Sequence, residues 1–471
     1  MLFSSITFLY YFLPLVFILY FIVPKSWKNI VLLLSSLFFY AWGEPKYVIL
    51  MLVSIGFGYL FGLLIEKHRS RSLAKLWTAI SVAISLSFLV YFKYADFFIA
   101  NFNRAFGTDS SLLAIVLPIG ISFYTFQIIS YTIDVYRGEA AQKNPLQLAT
   151  YIAMFPQLIA GPIVRYSSIA DQLKHRTHSL EKVTAGITRF LLGLGKKVLI
   201  ANQLGELCAA FGASTETSVL FYWIYALAFA LQIYFDFSGY SDMAIGLGKI
   251  FGFQFAENFN YPFISRSISE FWRRWHISLG SWFRDYVYIP LGGNRVALPR
   301  WIFNVFFVWF LTGFWHGASW NFVIWGLFYA VFLVLEKAFL GKLLEKCPTL
   351  GHIYVIFLIL ISFTIFNADN MQTVLQNLAG MFGAAYSPAY LSVVPTNPPL
   401  VSAETLYYLQ SYGVILIAAI IGSTPVVKMA AAKLPEKART ILTPIVLVAL
   451  LLVITGYLVD GSFNPFLYFR F

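Results

Sequence analysis

The chain has 471 residues, of which 59% are hydrophobic and 11% charged, with a formal net charge of +12. Soluble domains carry about 25% charged residues, so this sequence lacks the polar surface to cover a water-exposed globule and reads as an integral membrane protein. The basic excess does not require nucleic acid, because cytoplasmic loops of membrane proteins carry Lys and Arg for topological reasons; membrane lipids are the expected surroundings, with anionic headgroups a secondary contact.

Apolar runs near residues 4–23, 29–42, 47–65, 76–92, 148–163, 190–211, 218–240, 301–314, 321–337, 352–367, 409–427 and 441–459 predict membrane helices. The first run lacks a basic leader and a small-residue cleavage site, so it is expected to be retained. Several runs are shorter than the roughly 20 residues that cross a bilayer, which is expected where helices break around a buried cavity. The expected fold is therefore all-α, a polytopic integral membrane protein of about 11–13 membrane helices with re-entrant or broken segments around a central tunnel. No internal repeat or linker divides it, and a single domain over 1–471 is expected, with the catalytic core at about 117–340.

Loop charge orients the chain. Glu66–Lys75 holds four Lys or Arg against one acid, 264–300 six arginines against Glu270 and Asp285, and Lys428–Arg439 four basic residues against Glu436. The positive-inside rule places all three in the cytoplasm. The stretch 367–406 has no Lys or Arg and suits the outer side. Both termini then lie outside, provided one run in the first half does not cross. Leu117–Phe126 (LPIGISFYTF) is the candidate, because Pro118 and Gly120 interrupt its helix; an ordinary kinked span is the alternative.

The stretch 234–326 carries the chemistry-bearing residues. Ser267 and Glu270 have capping-box spacing, which predicts a helix starting near Ser267. Trp272, Trp275, His276, Leu279 and Trp282 or Phe283 then share one face of an amphipathic helix, while Glu270 reaches Arg274 four residues on. On the pattern alone His276 is either a packed interfacial residue or a functional one. His316 ends an apolar run and precedes Gly317, Ala318 and Ser319, small residues that leave room for a ligand or a close-packed backbone. An ionisable group inside a membrane segment marks a functional site by default. A neutral imidazole there can take the proton of an attacking hydroxyl. Cys208 and Cys347 have no metal-ligand spacing, so no metal is expected, and no G-x-S-x-G supplies a serine nucleophile. Direct transfer is the first choice, and an acyl-imidazole on His316 the alternative. The stretch YFDFSGYSDMAIG contributes Asp236 and Asp242, and Asp236 lies at the end of an apolar run. Such an acid pairs, here with Arg273, Arg274 or Arg284, or orients a catalytic histidine. The arginines and the Gly-Gly turn of YIPLGGNR (Tyr288–Arg295) would suit a phosphate-bearing donor, although topology also explains the charge.

Several of these stretches together resemble the membrane-bound O-acyltransferase (MBOAT) family, in particular its bacterial alginate O-acetyltransferase membrane-subunit type. They are YFKYADF (Tyr91–Phe97), LPIGISFYTFQIISYTIDVYRG (Leu117–Gly138), FPQLIAGPIVRY (Phe155–Tyr166), the block 234–295, GFWHGASWNFVIWG (Gly313–Gly326) and the closing NPFLYFRF. The resemblance implies that His316 and His276 are the catalytic residues. The candidate donor-binding set is Trp272, Arg273, Arg274, Trp275, Trp315, Asn294 and Arg295, with Asp236 and Asp242 structural or orienting. It implies an enzyme that binds no cofactor of its own and takes acetyl from a cytoplasmic thioester, acetyl-CoA or an acyl carrier protein. The group would cross the bacterial inner membrane to an exported, alginate-like polysaccharide, completed by an extracytoplasmic SGNH-type acetyltransferase partner. The competing readings are D-alanyl transfer to teichoic acid, a transporter or flippase, and a structural subunit that anchors a partner.

Overall fold

The computed structural model describes all residues except 160, 216–217, 388–391, 396–397, 462–466 and 468–471. The closing NPFLYFRF therefore lies outside the described residues apart from Leu467, as does Ala160 of FPQLIAGPIVRY. The chain forms two compact units, Met1–Phe190 with Tyr240–Glu257, and Leu191–Gly239 with Asn258–Phe471.

The first unit begins with a π-helical turn, Thr7–Phe12, continued as α1 (Leu13–Ile22). There follow α2 (Lys28–Ala41), α3 (Tyr47–Lys67), α4 (Ser72–Phe106), α5 (Ile121–Arg137), α6 (Pro145–Ala153), α7 (Phe155–Leu158) and α8 (Tyr166–Lys174). Glycines let these helices approach. A Cβ on Gly58 would meet Ile128 at 3.1 Å, and one on Gly62 the Tyr131 ring. The predicted break in LPIGISFYTF falls at its start: Gly120 takes the left-handed conformation and α5 begins at Ile121. Fourteen of the seventeen residues of α5 are buried, so it is a core helix. Arg189 ties this unit's outlying segment to its body through Asp242 at 2.8 Å and through Glu257.

The helix α9 (Leu180–Gly195) passes through a π-helical turn, Lys196–Ala201, into α10 (Asn202–Ala213), and α11 is Val219–Ile250. The second unit continues with α12 (Ile268–Arg274), α13 (Ile277–Phe283), a π-helical turn Arg284–Tyr288, α14 (Leu298–His316) and α15 (Trp320–Leu335). A further π-helical turn, Glu336–Leu340, leads to α16 (Gly341–Lys346), α17 (Pro348–Asn367) and α18 (Met371–Met381). A two-stranded antiparallel hairpin, β1 (Ala384–Ser387) with β2 (Ser392–Pro395), pairs Ala384 with Pro395. It breaks the otherwise all-helical pattern within the stretch read as an outer loop. The last helices are α19 (Ala403–Gly422), α20 (Val426–Ala432) and α21 (Glu436–Val459).

Each predicted apolar run holds a helix, and the fold is a polytopic helical membrane protein. Among the described residues seven helices are long and apolar enough to cross a membrane, fewer than the eleven to thirteen expected. The other runs make shorter or more polar helices: α6 has nine residues, and α14 carries Arg300, Asn304, Thr312 and His316. Helix α21 leaves Ile445, Val446, Val448, Leu452 and Val453 exposed. Such a surface is costly in water and at ease in hydrocarbon.

In the second unit α14 and α15 form the tightest hairpin. A Cβ on Gly313 would strike the Phe322 carbonyl, and one on Gly326 the Trp309 carbonyl. Backbone contact of this kind needs small residues, and it fixes the C-terminal end of α14, where His316 stands.

Candidate active site

His276 is reached through a helix that begins as predicted. Ser267 Oγ accepts from the Glu270 amide at 3.0 Å, and the Glu270 carboxylate accepts from the Arg266 amide and from Arg274 Nε, each at 2.9 Å. The helix then stops, contrary to the continuous amphipathic helix expected. Trp275 is extended and His276 adopts φ +44°, ψ 52°, in the left-handed region. A competing backbone pairing explains the break: the Asn260 amide donates to the Arg274 carbonyl at 2.9 Å, and the Ile277 amide to the Asn258 carbonyl at 3.0 Å. Those bonds end α12 at Arg274 and turn the His276 ring inward, where it is 2% exposed.

The His276 ring meets Phe237 edge to face, with centroids 4.6 Å apart. Its Nδ1 lies 3.1 Å from Asn258 Oδ1, which also accepts from the Ser278 amide at 3.2 Å and from Ser278 Oγ at 2.9 Å. Burial pushes the imidazole pKa down to about 3, from an ordinary 6.5. It is therefore neutral throughout the physiological range.

His316 is the last residue of α14 and sits in an aromatic enclosure. Trp325 and Phe366 face it at 5.0 and 5.2 Å, both near perpendicular, and Trp315 lies at 5.0 Å. Gly317 is pressed against the Phe322 ring, so the small residues after His316 serve close packing. Asn321 Nδ2 donates to the Ala368 carbonyl at 2.8 Å and so anchors the end of α17, which presents Phe366. Trp315 is the common neighbour of the two histidines, with its centroid also 6.4 Å from that of His276. Trp272 packs on Trp309, Trp325 and Tyr329, and Trp275 on Phe259, Phe271 and Phe363. The indole N–H groups of Trp272 and Trp325 are enclosed and have no hydrogen-bond partner among the described residues.

The remaining candidates separate. Arg273 and Arg274 line an open cleft of about 790 Å³ with Arg266, Ser269, Glu270 and Lys337; neither histidine lines it. Asn294 and Arg295 are exposed and do not line it. The Gly-Gly turn uses its own amides: Gly292 donates to Ile289, Gly293 to Tyr288 and Arg295 to Gly292, so these are not available to a phosphate. Arg284 pairs with its neighbour Asp285 at 2.6 Å and Arg274 with Glu270 at 2.9 Å. Asp236 does not pair with either of them, or with Arg273. Its partner is Lys197 at 2.6 Å, both side chains being almost wholly buried, and it also accepts from the Leu467 amide at 3.0 Å. Asn258 and Ser278, not an aspartate, stand at His276 Nδ1, at 3.1 and 3.4 Å, and Asp242 is engaged by Arg189. Sequence reading missed Lys197 and Asn258. A lysine inside the apolar run 190–211 was a usable signal for the first; Asn258, in an aromatic loop, gave none. Among the described residues no three His, Cys, Asp or Glu gather as metal ligands.

A sequence profile of the MBOAT, membrane-bound O-acyltransferase, family matches residues 85–368, a range that contains both histidines. The chain is 44% identical over 389 residues to the "Probable alginate O-acetylase AlgI" of Azotobacter vinelandii, which covers 81% of this chain and 78% of that protein. It is 36% identical over 428 residues to the "Peptidoglycan O-acetyltransferase" of Helicobacter pylori, covering 81% and 80%. Similarity to the "Teichoic acid D-alanyltransferase" of Bacillus subtilis is 32% over 235 residues and covers 47% of this chain.

Proposed function

This chain belongs to the membrane-bound O-acyltransferase family, and from that premise we propose that it moves acetyl from a thioester donor to a hydroxyl for O-acetylation of an exported glycan polymer. The observation that carries this reading is the pairing of two enclosed histidines around Trp315. His316 takes the proton of the attacking hydroxyl. The hydroxyl oxygen forms a bond to the thioester carbonyl carbon, the carbon–sulfur bond breaks, and the proton passes to the leaving thiolate. The indole N–H groups of Trp272 and Trp325 are suited to the acyl carbonyl, because a buried donor without a partner is costly until a ligand supplies one.

The donor is acetyl-CoA or an acylated carrier protein, and its phosphate is drawn to the cleft lined by Arg266, Arg273, Arg274 and Lys337. The relatives are named for alginate and for peptidoglycan, which supports an exported glycan as the acceptor class; the partner in this reading is an extracytoplasmic SGNH-type acetyltransferase. The protein lies in the cytoplasmic membrane with its basic loops inside and both termini outside.

The test is the ester-linked acetate released by mild alkali from envelope or secreted polysaccharide, in cells with wild type or His316→Ala at equal membrane levels. Collapse of the ester content is expected. Unchanged ester content would sink the assignment and leave transport or scaffolding in its place.

A further inference from the structure

Three basic side chains that the acyl-transfer chemistry leaves unused gather in the first unit, at the start of α2 and between α8 and α9. Lys28 is 9% exposed. Its Nζ donates to the Tyr20 carbonyl at 2.6 Å and lies 4.3 Å from the centroid of the Tyr20 ring. Arg176 donates through Nε to Tyr20 Oη at 2.9 Å. Through Nη1 it reaches Asn29 Oδ1 at 2.7 Å and the Gln172 carbonyl at 3.4 Å. His178 Nε2 lies 2.9 Å from Tyr20 Oη and 3.2 Å from the Phe251 carbonyl. Gly252, at φ +85°, permits this approach: a Cβ there would stand 3.1 Å from His178 Nε2 and from the Thr177 carbonyl.

The partners of these three side chains are neutral oxygens and aromatic rings. Among the described residues no carboxylate pairs with any of them, and Arg176 Nη2 is enclosed without a hydrogen-bond partner. A buried cation without a counter-ion is costly. The uncompensated charge acts on the half-buried His178. Burial first, then the positive charges of Lys28 and Arg176, hold its imidazole below the ordinary 6.5, and Lys182 adds to them. Its Nδ1 has no partner among the described residues.

The neighbouring surface is apolar. Ile18, Leu19, Phe21 and Ile22 of α1 are exposed, and Trp27, directly before Lys28, is 56% exposed. Such a helix face is at ease in hydrocarbon, and tryptophan is enriched at the headgroup level. The cluster thus stands where an apolar helix face ends.

We propose that Lys28, Arg176 and His178 form a phosphate site at the membrane interface, taking the headgroup phosphate of an anionic phospholipid whose acyl chains lie along α1. The lipid phosphate supplies the missing counter-charge. The site is separate from the cleft assigned to the donor's phosphate, and it does not rest on the acyltransferase reading.

The experiment is native mass spectrometry of the full-length protein in neutral detergent, with dioleoyl phosphatidylglycerol, dioleoyl phosphatidylcholine or coenzyme A added. Thermal unfolding is read in parallel. The wild type should retain phosphatidylglycerol on the order of 10-fold more than phosphatidylcholine, as two cations near a headgroup warrant. Only the anionic lipid should raise its unfolding temperature. Lys28→Gln with Arg176→Gln should abolish both preferences, and each single variant should weaken them, which keeps the test open if the double variant does not fold. Equal retention of the two lipids by the wild type overturns the proposal. So does an undiminished preference in the variants. Protection of the wild type by coenzyme A, lost in the variants and without a lipid preference, overturns the lipid as the source of the phosphate. No readout involves turnover, so failure of His316→Ala to abolish ester formation leaves this site to be judged separately.

Discussion

The surroundings of the two histidines differ in kind. His276 is held by polar contacts, with Asn258 and Ser278 on its Nδ1 side and a strained backbone beneath it. Next to its Phe237 neighbour in sequence is Asp236, buried with Lys197. His316 is held by shape, at the end of a helix pinned by glycine contacts and among the rings of Trp315, Trp325 and Phe366. A polar clamp fixes orientation through directed contacts. An aromatic enclosure fixes the ring by packing and keeps it in apolar surroundings. The difference teaches that identical side chains a few ångströms from one indole can be held in place by different forces.

The largest effect should come from removing the enclosed base. His316→Ala should slow acyl transfer by about 10² to 10⁴, the usual contribution of a general base. Steady-state transfer by purified protein checks it, with thermal unfolding in detergent expected to move far less than activity. A loss of stability in proportion to activity would erase the contrast between the two sites.

The polar side should break in stability. Lys197→Met leaves Asp236 buried without its cation, and about 3–5 kcal/mol of stability should go with it. The double variant Lys197→Met with Asp236→Leu should recover much of that loss. If the single variant unfolds at the wild-type temperature, the pair does not support the His276 side. Gly313→Ala tests the packing of the other side. Its added methyl would meet the Phe322 carbonyl, which is backbone and cannot turn away. Overpacking of this kind costs about 1–3 kcal/mol, read as a lower unfolding temperature together with weaker transfer.

Near neutral pH the smallest expected effect is a slope that steepens only on acidification. The folded pKa of His276 is about 3 and its ordinary value is 6.5, so the unfolded chain binds the extra proton first on acidification. Its contribution is fully present above pH 6.5 and is lost as pH falls toward 3, by at most about 1.4 kcal/mol per pH unit. Replacing His276 with Gln should flatten the stability profile in that window. An unchanged profile would mean that the folded histidine titrates normally.

Much of this architecture is legible in the amino-acid sequence. The apolar runs became helices, because hydropathy is summed locally and needs no partner. The start of α12 was legible for the same reason, since a capping box joins residues only three positions apart. Both candidate histidines stood out as ionisable groups among apolar ones. The end of α12 was not legible, and Trp275 and His276 kept the helical spacing in sequence while leaving the helix in space. Their departure depends on the loop at 258–260, whose backbone pairs with 274–277 only after the chain has folded back.

By itself the sequence determined the membrane class, the helical frame and the kinship with the acyltransferases, and it singled out the two candidate histidines. Tertiary structure alone decided which partner each polar residue received. Asp236 had three arginines in view and took Lys197, and His276 took Asn258 rather than an aspartate. The physical reason is range. Periodicity, capping and hydropathy act over a few residues, whereas the choice among equally suitable partners is made by which of them packing brings within about 3 Å.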